Sequence, residues 1–122
     1  MQWHCLPFEQ LTATQLYSIL ALRQEVFVVE QICAYLDADG KDQKSYHVWA
    51  EENGRIIAYA RIVKPGVSYP EVSIGRVVTS PAARRTGLGK KLMKITIDCI
   101  VDLYGTVPIR ISAQCYLEAF YK

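Results

Sequence analysis

Between Arg76 and Lys94 the chain carries six cations, Arg76, Arg84, Arg85, Lys90, Lys91 and Lys94, and no acid. The whole chain has a net charge of only +2, so the remainder sums to −4. In the middle of this window stand Gly87 and Gly89, one residue apart. Such a segment suits an anion. Glycines let the backbone come close to a ligand, and the first N–H groups of a helix lack intrahelical partners. The helix dipole adds partial positive charge at the same place. A Walker loop would need glycine in place of Arg84 and Ser or Thr in place of Lys91, and a dinucleotide fingerprint would need glycine in place of Leu92. Neither motif is present. A glycine-rich connection with solvated cations is the plainer alternative.

Other chemistry-bearing residues are sparse. Cys5, Cys33, Cys99 and Cys115 lie far apart without a CxxC pair, and His4 and His47 do not complete a zinc set. No metal is expected. Cys33 reads as a buried structural thiol rather than a nucleophile. The acidic loop "LDADGKDQKS" fails as a calcium loop, because Tyr35 and Tyr46 would occupy its first and twelfth positions. It is expected to be solvated and to attract a cationic amine. No signal peptide or apolar run of ~20 residues is visible, so a cytoplasmic protein with reduced thiols and no membrane partner is expected. Cations gathered at one turn also argue against a general nucleic-acid binder.

The elements that would position these residues follow from periodicity. With 122 residues, 51% of them hydrophobic, one soluble domain is expected. "QWHCLPF" is a candidate strand. "TATQLYSILALRQEVF" reads as a helix with a capping box at Thr12 and Gln15 and an apolar face of Leu16, Ile19, Leu20, Val26 and Phe27. "YHVWAEE" and "RIIAYARIV" flank Asn53-Gly54, a strong hairpin signal. "EVSIGRVVT" is a β-branched strand leading into the cationic turn. A helix then runs from Leu88 through Leu92, Ile95, Cys99, Ile100 and Leu103 to a stop at Gly105. "PIRISA" is a further strand, and "YLEAFYK" opens another helix.

With these elements in order, the residues resemble a family. Arg84, Arg85, Thr86, Gly87, Leu88 and Gly89 match the R/Q-x-x-G-x-G/A signature of the GNAT acyltransferases. "LRQEVFVVEQICAY", "DADGKD", His47 and "IGRVVTSPAARRTGLGKKLM" resemble its ElaA-type branch over nearly the whole chain. Ala34 and Asp37 depart from the proline and glutamate usual there.

The resemblance implies an α/β GNAT fold, a mixed central sheet flanked by helices. It also implies transfer of an acetyl group from acetyl-CoA to an amine by direct attack. Arg84 to Gly89, with Lys90, would hold the pyrophosphate. The backbone of Val77, Val78 and Thr79 would pair with pantetheine and polarise the thioester carbonyl, while their side chains could equally be core. Glu71 falls in the family's base region, with Glu25 and His47 as alternatives. Phe120-Tyr121 completes an N-x-x-A-x-x-F-Y pattern, which makes Tyr121 the candidate acid for the leaving thiolate. In that pattern Gln114 replaces Asn as a cofactor contact, and Leu117 replaces Ala. The same resemblance leads us to expect further strands beyond Lys122, a chain cut short, and a possible homo-oligomer. An inactive acyl-CoA-binding protein and an anion- or nucleic-acid-binding module are the rival functions.

Overall fold

The computed structural model describes residues 1–30, 37–83 and 86–111. Among these residues, five strands form one sheet in the order β1-β2-β3-β4-β5: Gln2–Pro7, Ser45–Glu52, Arg55–Val63, Val72–Thr79 and Ile109–Ile111. The first three pairings are antiparallel and β4–β5 is parallel. A parallel neighbour needs a long crossover, and the helix α2, Leu88–Tyr104, supplies it. The helix α1, Ala13–Arg23, lies on the other face.

Two clusters place the helices. Leu88, Leu92 and Ile100 of α2 pack with Val48, Ala60, Ile62, Ile74 and Val77. Ile19 and Leu22 of α1, with Val26 and Phe27 just beyond it, pack with Trp49, Tyr59 and Val78. The sheet is therefore covered on both faces, and Val77 and Val78 point to opposite sides, as successive strand residues must.

Local signals explain the boundaries. The Thr12 side chain accepts from the Gln15 N–H at 3.0 Å, and Gln15 Oε1 accepts from the Thr12 N–H at 2.9 Å. Asn53 and Gly54 both take positive φ, 54° and 75°, as a two-residue hairpin turn requires. Gly105, at φ 80°, caps α2 with its N–H on the Val101 carbonyl at 2.8 Å.

The first helix departs from the expected span. Regular α-winding stops at Arg23 and a π-helical segment follows, Gln24–Glu30. Ile19, Val26 and Phe27 are buried as expected, but Leu16 and Leu20 are only partly so, and Arg23 is fully buried. Hydrophobic periodicity has no means of placing a charged residue inside. The expected last helix, with Gln114 and Tyr121, lies outside the described residues, as do Cys33 and Cys115.

Removing the α1 cap gives a simple test. Thr12→Ala should destabilise the protein by about 1 kcal/mol, read as a lower denaturant midpoint with an unchanged m-value. Unchanged stability would mean that the cap is redundant.

Candidate active site

The glycine turn comes first. β4 ends at Thr79, a short helical turn covers Pro81–Ala83, and α2 starts at Leu88. Gly87 is the N-cap, at φ 80° and ψ 3°, a conformation that glycine adopts without strain. Among the described residues a Cβ built there would meet nothing within 4 Å, so they leave the space beside the turn open. The first helical bond runs from the Lys91 N–H to the Gly87 carbonyl at 3.2 Å. The N–H groups of Leu88, Gly89 and Lys90 precede it, so helix geometry gives them no intrahelical partner. The Thr86 hydroxyl donates to the Ala83 carbonyl at 2.7 Å and ties the turn down. Leu88 contributes its side chain to the core, so only its backbone can serve a ligand. Arg84 and Arg85 lie outside the described residues.

The strand before the turn is bent by a bulge. Tyr59 opposes Val78 and Arg61 opposes Gly75, so Arg76 and Val77 together face Ala60. Arg76 has φ 51°. β5 pairs only with Val72, Ser73 and Ile74. Among the described residues no strand pairs with Gly75 to Thr79 on the edge away from β3. The side chains of Val77, Val78 and Thr79 are buried. Any ligand contact they make must come from the backbone.

Behind the bulge lies an ion network. Arg23 Nε contacts Asp37 Oδ2 at 2.9 Å, and its Nη1 donates to Asp42 Oδ1 at 2.9 Å. Arg61 grips both carboxylate oxygens of Asp39 at 2.9 Å and reaches Asp42 Oδ1 at 3.0 Å. Arg76 donates from Nε to Asp37 Oδ1 at 2.8 Å and from Nη2 to the Asp37 carbonyl at 3.0 Å. The acidic loop is therefore not the solvated lure for amines expected above. Its three aspartates are neutralised by arginines from α1, β3 and β4, and Asp37 and Asp42 are buried. Arg76 also leaves the count of cations available at the turn. Burial would raise the Asp39 carboxyl, but the hydrogen bonds and charge of Arg61 outweigh it and hold the group at about 2. Asp42 is likewise pushed up by burial, and Arg23 and Arg61 hold it below the usual carboxylate range.

His47 belongs to this network. Its Nε2 lies 2.9 Å from the Asp42 carbonyl, which can only accept, so Nε2 carries the proton. Nδ1 then accepts from the Tyr59 hydroxyl. Burial lowers the pKa of the ring and keeps it neutral. With both nitrogens engaged and no exposed surface, His47 is a structural group and drops out as a base.

The two acidic candidates lie apart. Glu71 precedes β4 and stands 3.7 Å from Arg110 Nη1, beside a cleft of about 300 Å³ formed with Pro70, Tyr104 and Pro108. Five residues of strand, about six steps or on the order of 20 Å, separate it from Val77. Glu25 opens onto a cleft of about 630 Å³ between α1 and the hairpin tip, which reaches Ser80. A second cleft of about 440 Å³ adjoins Ser80, Thr86 and Leu88 on the turn side. The structure thus brings Val77, Val78 and Thr79 to the glycine turn and leaves Glu71 at the opposite end of the strand. Sequence reasoning did not find Arg23 and Arg61. Their only signal was a cation in an otherwise apolar segment.

A glycine-capped helix start beside a strand edge left unpaired among the described residues is a recognisable arrangement, and the family comparison is consistent with it. The profile of the acetyltransferase (GNAT) family matches residues 9–111. The chain belongs to this family. It is 43% identical to a UPF0039 protein of Synechocystis over 99% of its own length and 79% of that protein's. It is 38% identical to Escherichia coli ElaA, covering all of this chain and 81% of that one. The ElaA crystal structure superposes with a TM-score of 0.89 over 98% of this chain and 82% of that chain. An acyl-CoA N-acyltransferase from Pseudomonas aeruginosa, 42% identical, gives the same score over 98% of this chain and 84% of its own. The GNAT fold and an acyltransferase activity class are thereby established. Among the described residues no cluster of three or more His, Cys, Asp or Glu side chains could hold a metal. None of the described helices is long and apolar enough to cross a membrane.

The buried titratable groups set the acid response. His47, depressed when folded, is protonated more readily in the unfolded chain, so stability falls as pH drops below about 6.5. Asp39 and Asp42, also depressed, contribute fully above the unfolded carboxylate pKa, and that contribution is lost as pH falls from ~4 toward ~2. Denaturant midpoints measured from pH 7.5 to 2.5 should show both limbs, and His47→Gln should shrink the upper one. An identical profile in that variant would remove His47 from the account. Asp42→Ala leaves Arg23 and Arg61 without a shared carboxylate and should cost about 3–5 kcal/mol. A loss below 1 kcal/mol would show that the network is dispensable.

Proposed function

We propose that this GNAT protein transfers an acetyl group from acetyl-CoA to the nitrogen of an amine by direct attack. The observation that carries the reading is the continuity of two features. The open N-terminal turn of α2 at Gly87 adjoins the edge of β4 at Val77 to Thr79, where the backbone has β3 on one side only among the described residues.

In this reading the pyrophosphate of acetyl-CoA lies on the backbone of Gly87 to Lys90, with Arg84, Arg85 and Thr86 beside it and Gln114 as a further contact. Unpaired N–H donors, the helix dipole and nearby cations all favour a doubly charged anion. Pantetheine extends along Val77, Val78 and Thr79 as an added strand would. A backbone N–H there stabilises the oxyanion that forms when the amine attacks the thioester carbon. The amine must first lose a proton. Glu71, at the far end of β4, takes that proton through a chain of waters in this proposal, and Glu25, on the cleft that reaches Ser80, is the competing base. Tyr121 protonates the leaving thiolate.

The phosphate assignment is tested at Gly87. Asparagine and aspartate both tolerate the left-handed backbone, and the open space removes steric clash as a cause. Gly87→Asp should weaken acetyl-CoA at least tenfold, or ~1.4 kcal/mol, while Gly87→Asn should weaken it less. Equal affinities by calorimetry would show that the turn is not the phosphate site. Steep loss of a polyanion with salt, without acetyl-CoA binding, would favour the nucleic-acid reading.

The chemistry is tested by turnover on an amine panel. Tyr121→Phe should lower kcat by about 10²–10⁴-fold with acetyl-CoA affinity intact. Glu71→Gln should lower kcat/KM mainly near neutral pH, where the amine is charged. If Glu25→Gln does so instead, the base is Glu25. Tight acetyl-CoA binding without turnover on any amine would support a binding protein and reject the transferase.

A further inference from the structure

The proposed reaction uses Val77 to Thr79 through their backbone alone, so whatever aims that backbone has a functional role. The residue before them is unusual. Among the described residues two non-glycines take positive φ. Asn53 sits in a hairpin turn that requires it. Arg76 stands inside a strand, with no local turn to explain its conformation. Such a backbone costs of order 1–3 kcal/mol and persists only where its surroundings enforce it.

The surroundings are on view. The Arg76 guanidinium is held by Asp37 Oδ1 at 2.8 Å, by the Asp37 carbonyl at 3.0 Å and by Asp39 Oδ2 at 3.4 Å. Those partners are fixed in turn by Arg23 and Arg61. The anchored side chain and the strained backbone belong to the same residue, so the ion pairs act directly on its φ. The bulge begins at Arg76, two residues past Ile74, the last residue of β4 that β5 pairs. Without it, Val77 to Thr79 would shift by one residue against β3, and a one-residue slip reverses every side chain and every N–H. Val78 would then leave the α1 cluster.

We propose that Arg76 is a positioning residue for acyl transfer: its anchorage to Asp37 and Asp39 holds the β4 bulge that aims the backbone N–H groups of Val77 to Thr79 at the acyl donor. The proposal rests on the acetyl-transfer reading for its functional meaning, while its structural content stands apart from it. It also explains why a cation so near the glycine turn is withdrawn from it. The Arg76 charge is spent on backbone geometry, and the phosphate end relies on other groups.

Glycine and alanine at this position separate positioning from simple ionic glue. Both delete every guanidinium contact. Glycine accepts φ 51° without strain, whereas alanine does not. Arg76→Gly should therefore keep a kcat at least about tenfold above that of Arg76→Ala, with similar KM values for acetyl-CoA. If the two variants lose kcat equally, or if both keep the wild-type value, the proposal fails. Amide hydrogen exchange at Val77, Val78 and Thr79 in the free protein supplies a second readout. It should accelerate more in Arg76→Ala than in Arg76→Gly, and equal exchange counts against the proposal. Because exchange needs no substrate, it still decides the positioning question if the wild-type protein proves to have no acetyl-transfer activity, which would sink the functional reading alone. Should Arg76→Ala not fold, Asp37→Asn, which alters the carboxylate that Arg76 contacts at 2.8 Å, takes its place. It weakens the anchor and keeps the strain, so it should lower kcat with acetyl-CoA KM unchanged. An unaltered kcat would overturn the idea.

Discussion

Three arginines and three aspartates share one buried site, and much of the architecture is constrained by the need to keep those charges paired. A buried ion without a partner costs several kcal/mol. Arg23 at the end of α1, Arg61 on β3 and Arg76 on β4 must therefore all meet the loop that carries Asp37, Asp39 and Asp42. This requirement locks the loop, the helix end and two adjacent strands into one arrangement. Its contribution is better described as specificity than as net stability, since well-packed apolar groups can replace buried ion pairs at little cost. His47 and Tyr59 extend the same network into the sheet and satisfy the Asp42 carbonyl.

β4 divides its duties between side chains and backbone. Val77 closes the cluster under α2 and Val78 the cluster under α1, so substituting either would damage the core. The backbone between them has an edge that β5 does not pair with among the described residues. A strand can serve both purposes because side chains leave it perpendicular to the sheet while N–H and C=O groups lie within it. The bulge at Arg76 joins the two duties, since it changes the direction of the strand without uncovering its side chains.

The charge distribution follows a similar division. Cations near the glycine turn remain on the surface at Lys90 and Lys91, beside a helix start whose own dipole favours an anion. On the opposite side of the bulge, positive and negative groups cancel within a few ångströms. The chain can thus present a local positive field at one turn while its net charge stays at +2. The family relationship establishes an acyltransferase, and the separation of neutral and cationic regions supports the proposal that the donor's phosphates lie at this end of β4.

Most of the elements were legible in the sequence because their signals are local. The Asn53-Gly54 hairpin, the Thr12 and Gln15 cap, the stop at Gly105 and the turn at Gly87 each depend on residues within one or two turns of chain. The glycine turn also carried the family signature, so the family was legible in the sequence. Tertiary structure alone decided the rest. A run of aspartates looks solvated until residues 14 to 39 positions away supply guanidinium groups. His47 looks like a possible base until Tyr59 and the Asp42 carbonyl take both its nitrogens. The positive φ of Arg76 has no local signal, because a long side chain in a β-branched strand predicts extended backbone. Only contacts between distant segments hold it there, and such contacts leave no periodicity for a sequence to display.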